Sequence, residues 1–232
     1  MKEKVGKVKI VAHRGGAGDA PENTLLAFKK AIDLGCDIVE LDVRLTKDNQ
    51  VVVIHDDDVD RTTDGRGKIR ELTLKQIKKF HCEEKQKIPT LQEVIDLCKG
   101  KIDMQIELKA NGTVKPTYDL IVENDILADV TITSFKYGFL QEMFILNRKV
   151  NLGLLFEEYI ISKMIILWII GRLIGINYVC PNYPIVNKKI VDRAHKLGMK
   201  VYVFDVKTKE EGEKLMEMGV DEIGTDFPKL FL

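Results

Sequence analysis

The sequence predicts an α/β fold: a (β/α)8 TIM-type barrel with a β-hairpin after its second strand and a small insertion, about 57–88, over the C-terminal face. Three observations predict it. One antiparallel return strand aside, eight short apolar segments recur, each separated from the next by helical sequence, which is the alternation of a parallel sheet. The polar residues His13, Glu40, Asp42, Glu107, Lys109, Ser134 and Asp226 fall at or near the C-terminal ends of those strands, where such barrels keep their sites. The length, 232 residues, suits one large domain or two small ones, and the unbroken alternation favours a single catalytic barrel spanning 1–232.

The first strand is read over Lys7–Ala12 and ends at His13-Arg14-Gly15-Gly16. Pro21-Glu22-Asn23-Thr24 opens a helix that runs to about Leu34, with Gly35 as its stop. In I-V-E-L-D-V-R-L, from Ile38, alternation puts Glu40, Asp42 and Arg44 on one face and Leu41, Val43 and Leu45 on the other. The break T-K-D-N-Q is too short for a parallel crossover, so Val51–His55 returns antiparallel. A turn centred on Asp48 and Asn49 makes paired positions sum to 97 and sets His55 directly opposite Asp42. The turn-rich stretch that follows holds a short helical pattern, Leu74–Phe80, and reads as the insertion.

From Pro89 the alternation is regular. T-L-Q-E-V-I-D-L-C is helical, 103–109 a strand, Thr117–Ile126 a helix, 130–135 a strand and Tyr137–Leu146 a helix. A strand at 151–156 leads into an apolar helix to about Leu173; Asn177–Cys180 is a strand and Asn187–Leu197 a helix. Strand 200–205, helix Lys209–Met218 and strand 221–226 complete the set. The most apolar segment is 160–176, yet its longest uncharged run, Met164–Gly171, is short beside the roughly 20 residues of a membrane span. A helix buried against the barrel is expected there, with contact to lipid or another subunit through 160–173 as the alternative.

Lys+Arg and Asp+Glu each number 36, so the formal charge is zero and no nucleic-acid partner is expected. Cys36, Cys82, Cys98 and Cys180 are scattered without a C-x-x-C pair, which argues against structural zinc and disulfides and for a reducing, cytoplasmic setting. The first ten residues lack the apolar core of a signal peptide.

Glu40, Asp42 and Glu107 form an oxygen-only donor set near the barrel mouth, which suits a hard divalent cation, Mg²⁺ or Ca²⁺, better than zinc. His13 and His55 come from adjacent strands and flank that set, which suits general acid and base roles. Arg14 and Lys109 add positive charge for an anion with several oxygens, most simply phosphate, and Gly15, Gly16 and Gly18 let backbone approach it. His81 and His195 lack such company and receive no role. The residues by themselves describe a metal-dependent phosphoryl-group enzyme on a barrel.

Taken as an ordered set, A-H-R-G, P-E-N-T, V-E-L-D-V, V-I-H-D, R-T-T-D-G-R-G, I-E-L-K, S-F and G-T-D-F-P resemble the motifs of the glycerophosphodiester phosphodiesterase family, from Ile10 to Pro228. The resemblance implies hydrolysis of glycerophosphodiesters to sn-glycerol 3-phosphate and an alcohol, with Mg²⁺ or Ca²⁺. It implies His13 and His55 as the acid–base pair, Arg14 and Lys109 on the phosphate, and Glu40, Asp42 and Glu107 on the metal. Glu22 and Asn23 would brace the first loop, and a glycerol hydroxyl would act as internal nucleophile through a cyclic phosphate. Two features depart from the family pattern. Phe204-Asp205-Val206-Lys207 stands where an aromatic-Thr-Val-Asn pattern is common, and helix 160–173 is unusually apolar. Headgroups such as glycerophosphocholine are the expected substrates; a lysophospholipase D-like enzyme and a non-catalytic phosphodiester-binding barrel are the alternatives.

Overall fold

The computed structural model describes residues 7–158, 171 and 175–232. Its strands are β1 (Lys9–Ala12), β2 (Ile38–Leu45), β3 (Val51–Val53), β4 (Asp103–Leu108), β5 (Val130–Ser134), β6 (Asn151–Phe156), β7 (Ile176–Pro181), β8 (Lys200–Val203) and β9 (Glu222–Thr225). They form one sheet of nine strands in the order β1-β9-β8-β7-β6-β5-β4-β2-β3, and β1 also pairs with β2. Only β3 is antiparallel, so the remaining eight close into a parallel barrel, as the alternation predicts.

Among the described residues the helices are α1 (Leu25–Leu34), α2 (Leu74–Ile77), α3 (Leu91–Cys98), α4 (Val114–Glu123), α5 (Tyr137–Leu146), α6 (Lys188–Lys196) and α7 (Lys209–Met218). Local chemistry sets their ends. The Thr24 hydroxyl accepts from the Ala27 N–H, and α1 stops at Gly35 in the left-handed region, φ 79°. Thr90 with Glu93 and Thr208 with Glu211 form reciprocal capping boxes on α3 and α7. The fourth helix begins three residues earlier than Thr117 because Pro116, which has no N–H, fits a first turn where that donor would be unpaired.

Alternation along the strands divides the molecule into two apolar regions. Val39, Leu41 and Val43 of β2 and Ile106 and Leu108 of β4 face outward against Phe28, Ala31, Leu91, Val94 and Ile95. Val11, Ile38, Leu155, Tyr178, Cys180, Tyr202 and Phe204 fill the interior. That interior leaves Glu40, Asp42 and Glu107 on the inner side, above the apolar layer and at the C-terminal mouth.

The hairpin register differs from expectation. Val43 pairs with Val53, Arg44 with Val52 and Leu45 with Val51, so paired positions sum to 96 and Ile54, not His55, lies opposite Asp42. The loop is three residues, Lys47-Asp48-Asn49, with Asn49 left-handed at φ 58° and the Thr46 N–H bonded to the Gln50 carbonyl at 3.0 Å. Thr46 donates its hydroxyl to the Asp48 carboxylate at 2.6 Å, which favours this turn over a two-residue one. The ladder ends at Val53, and His55 reaches the mouth from the loop beyond it.

Residues 57–88 build a satellite core in which Val59, Ile69, Ile77, Cys82 and Ile88 pack with Val52 and Ile54, flanked by Leu72, Leu74 and Phe80. The helical pattern there forms only Leu74–Ile77. Apart from Gly171, the expected apolar helix to Leu173 lies outside the described residues. No helix among the described residues is long and apolar enough to cross a membrane.

Candidate active site

Glu40 and Asp42 are two apart on β2, and β2–β4 pairing sets Asp42 beside Glu107. One carboxylate oxygen from each of the three lies within 4.8 Å of the others, and all three side chains are buried. Asp42 is the hub. It accepts from Asn23 Nδ2 at 2.9 Å, and lies 3.6 Å from both Lys109 Nζ and Arg14 Nε. Lys109 Nζ also sits 3.0 Å from Glu107, and the Arg14 backbone N–H donates to Glu40 at 2.9 Å.

Burial, with the Asp42 charge adding to it, pushes Glu40 up to about 7 and Glu107 up to about 8. Burial acts the same way on Asp42, but Lys109 and Arg14 outweigh it and hold Asp42 below the usual carboxylate range. Ionised together, three buried carboxylates at this spacing would carry more negative charge than Lys109 and Arg14 balance, which is why Glu40 and Glu107 hold their protons toward neutral pH. An all-oxygen donor set of that kind fits a hard divalent ion.

The tight turn after β1 brings His13 and Arg14 to the same place. Arg14, Gly15 and Gly16 are all left-handed, at φ 51°, 85° and 86°. A Cβ on Gly15 would stand 2.7 Å from the Ala27 Cβ, so only glycine lets this loop rest on α1. Gly15→Ala is therefore expected to destabilise the fold by about 1–3 kcal/mol in a denaturant titration, through both crowding and an unfavourable φ.

Each catalytic-candidate imidazole is held at Nδ1 by a carboxylate at 2.7 Å, His13 by Asp226 and His55 by Asp56. Nε2 of each is left for a ligand; that of His13 lies 3.9 Å from Glu40. The two environments push in opposite directions. Burial works against the His13 imidazolium, yet the Asp226 hydrogen bond and the Glu40 charge prevail and raise its pKa above 6.5. Burial also lowers His55, Lys109 and Arg14 add to the effect, and Asp42 and Asp56 do not reverse it, so its pKa falls below 6.5.

These groups line a cavity of about 210 Å³. His13, Arg14, Glu40, His55, Glu107 and Lys109 line it together with the apolar Phe135, Leu155 and Phe204 and the acidic Glu157 and Asp205. Phe135 and Phe204 meet edge to face at 5.9 Å. The arrangement offers charge for an anion, a proton donor and a proton acceptor, and an apolar side for the rest of a substrate.

Residues 13–230 match the glycerophosphoryl diester phosphodiesterase family. The chain belongs to that family. It is 34% identical to the glycerophosphodiester phosphodiesterase of Caldanaerobacter subterraneus subsp. tengcongensis, covering 97% of each chain. It is 32% identical to the enzyme of the same name from Bacillus altitudinis, over 95% of each. Among solved structures, the Thermotoga maritima glycerophosphodiester phosphodiesterase superposes with a TM-score of 0.85 at 28% identity, covering 97% of this chain and 96% of that one. An Oleispira antarctica phosphodiesterase, solved with the product sn-glycerol-3-phosphate, gives 0.87 at 26% identity over 95% and 94%. The chain is thus an enzyme, a glycerophosphodiester phosphodiesterase.

Within this phosphodiesterase all seven residues singled out from the sequence, His13, Arg14, Glu40, Asp42, His55, Glu107 and Lys109, converge at the mouth. Ser134 does not join them: its buried hydroxyl donates to the Leu108 carbonyl at 2.9 Å and ties β5 to β4. His81 and His195 sit against Asp64 and Asp221. Asp205, where the family pattern has threonine, is left-handed at φ 64° and pairs with Lys207 at 3.2 Å.

Sequence reasoning gave no role to the acids that hold the histidines. Asp56 directly follows His55, a signal open to reading. Asp226 is far from His13 in the chain and comes to it because β9 pairs with β1 when the barrel closes. Asn23 reaches beyond its own loop to Asp42, which the P-E-N-T motif does not reveal.

Proposed function

We propose that this phosphodiesterase hydrolyses water-soluble glycerophosphodiesters to sn-glycerol 3-phosphate and an alcohol by His/His acid–base chemistry, with Mg²⁺ or Ca²⁺ held by Glu40, Asp42 and Glu107. The observation that carries the reading is the pair of imidazoles, each fixed at Nδ1, that flanks the three-carboxylate cluster in one cavity. Held by these three carboxylates, the cation would supply positive charge for an anionic substrate and would make a hydroxyl more acidic.

Arg14 and Lys109 hold the phosphate in this proposal, while Phe135 and Phe204 offer apolar surface to the rest of the substrate. Neither serine nor cysteine lines the cavity among the described residues. A glycerol hydroxyl next to the phosphoester serves instead, with the proximity advantage of an intramolecular attack. His55, held toward its neutral form, takes the hydroxyl proton as oxygen attacks phosphorus. His13, held toward its charged form, gives a proton to the departing alcohol oxygen, leaving a cyclic phosphate. The roles then reverse: His13 takes a proton from water as it adds, and His55 returns its proton to the hydroxyl oxygen as the ring opens.

Phosphorus NMR on two substrates tests the substrate class. Glycerophosphocholine is expected to give glycerol 3-phosphate, and detergent-dispersed lysophosphatidylcholine to remain intact. Lysophosphatidic acid from the lysolipid, with the soluble diester untouched, would overturn the soluble-substrate reading and favour membrane contact through 160–173. Asp205 adds an acid to the cavity lining and so favours a cationic headgroup. Asp205→Asn, which removes the charge and tolerates the left-handed φ, is expected to lower the kcat/KM ratio of glycerophosphocholine over glycerophosphoglycerol about three- to fivefold, the size of an exposed charge interaction. A single catalytic domain over 1–232, working in a reducing cytoplasmic interior, completes the proposal; the four cysteines are free and buried.

A further inference from the structure

Arg61 opens the R-T-T-D-G-R-G stretch of the insertion, outside the cavity and on none of the barrel strands. Its guanidinium nonetheless joins two acids that serve the site. Nε lies 2.7 Å from Asp56 Oδ2 and Nη2 3.1 Å from Oδ1, while Nη1 lies 2.7 Å from Glu22 Oε2 and Nη2 2.8 Å from Oε1. Asp56 is the carboxylate on His55 Nδ1, and Glu22 accepts from Arg14 Nη1 at 3.0 Å. An unbroken chain of contacts thus runs His55, Asp56, Arg61, Glu22, Arg14. Its two ends lie on loops from different strands.

An exposed ion pair alone would contribute little, and half of the Arg61 side chain is exposed. Here one planar fork binds two carboxylates at once, a geometry that lysine cannot copy. The backbone beneath it is also anchored. Val59, two residues before, is fully buried in the insertion's own core, and its carbonyl accepts from both the N–H and the hydroxyl of Thr63.

We propose that Arg61 is a positioning residue for this reaction, clamping Asp56 and Glu22 and so setting the orientations of His55 and Arg14 together. The insertion then contributes to the machinery through this clamp. The inference rests on the acid–base reading of His55 and the phosphate reading of Arg14.

The test compares wild type, Arg61→Gln and Arg61→Lys with Mg²⁺ present, by kinetics and by NMR titration of the imidazoles. The chain has four histidines, so His55→Gln assigns the His55 signal. Asp42, Asp56, Lys109 and Arg14 are the charged groups facing that ring. Without Arg61, Asp56 faces the ring unneutralised and favours its charged form. The His55 midpoint is expected to rise by about half a unit to one unit in Arg61→Gln and by less in Arg61→Lys, which keeps the charge but not the fork. In parallel, kcat should fall about 10- to 100-fold and KM should rise, as when a supporting partner of a site residue is lost.

An unchanged His55 midpoint with kcat/KM within threefold of wild type would overturn the proposal. So would a lowered melting temperature with wild-type kcat and midpoint, since that marks a merely structural residue. A shifted midpoint in a protein whose wild type turns over no glycerophosphodiester would sink the reaction reading and leave the clamp standing.

Discussion

His55→Ala is expected to lower kcat by about two to four orders of magnitude, the usual contribution of a positioned general base, with the fold intact. The pH profile separates it from His13→Ala. His55 has its pKa below 6.5, so its neutral form predominates at neutral pH, and activity fails as pH falls through that value. His13 has its pKa above 6.5, so it still carries its proton near neutrality, and activity fails as pH rises through that value. Wild type should therefore show a bell whose acid limb lies below about 6.5 and whose alkaline limb lies above it. Residual activity in His55→Ala should have lost the acid limb, and in His13→Ala the alkaline one. Asp226→Asn should draw the alkaline limb downward, because the hydrogen bond that favours the imidazolium is weakened. A normal profile in either alanine variant would remove the acid–base assignment.

The second large effect lies in the carboxylate cluster. Glu40→Gln should raise the cation concentration for half-maximal activity by at least about tenfold, with activity partly restored by excess cation. Asp42→Asn should not be rescued in this way. Asp42 stands between Arg14 and Lys109, and its loss leaves two largely buried cations without their shared partner, at a cost of about 3–5 kcal/mol in stability. Cation-free protein should show the strain as a pH dependence. The folded state holds protons on Glu40 to about 7 and on Glu107 to about 8, whereas unfolded carboxyl groups shed theirs near 4.5. Native protein thus binds more protons than unfolded protein between those values, and its stability should fall as pH rises from about 5 to 8. Melting temperatures measured in chelator should slope downward across that range, and added Mg²⁺ or Ca²⁺ should flatten the slope. A flat profile in chelator would contradict the cluster's electrostatics.

Where the chemistry runs along a single strand or to its immediate neighbour, the chain is readable. Glu40 and Asp42 share a face by alternation alone, Glu107 sits at matching depth on the next parallel strand, and the outward Leu41 and Val43 are legible in the same way. The register that alternation suggests for His55 is off by one: an extra residue in the Lys47–Asn49 loop slips the ladder, and the ring arrives from a loop instead. The slip depends on Asn49 adopting a left-handed φ and on the Thr46–Asp48 hydrogen bond, both hidden in a short polar run. Asp226 and Arg61 were harder still. One depends on barrel closure and the other on how an irregular insertion folds over its own small core, and neither has a periodic signal.

The most direct test is release of glycerol 3-phosphate from glycerophosphocholine by protein freed of metal with a chelator, followed by separate return of Mg²⁺ and Ca²⁺. The expected result is no product in chelator and full turnover with at least one of the two cations. Full turnover in chelator would contradict the role given to Glu40, Asp42 and Glu107. Folded protein that releases nothing under either cation would contradict the proposed reaction itself.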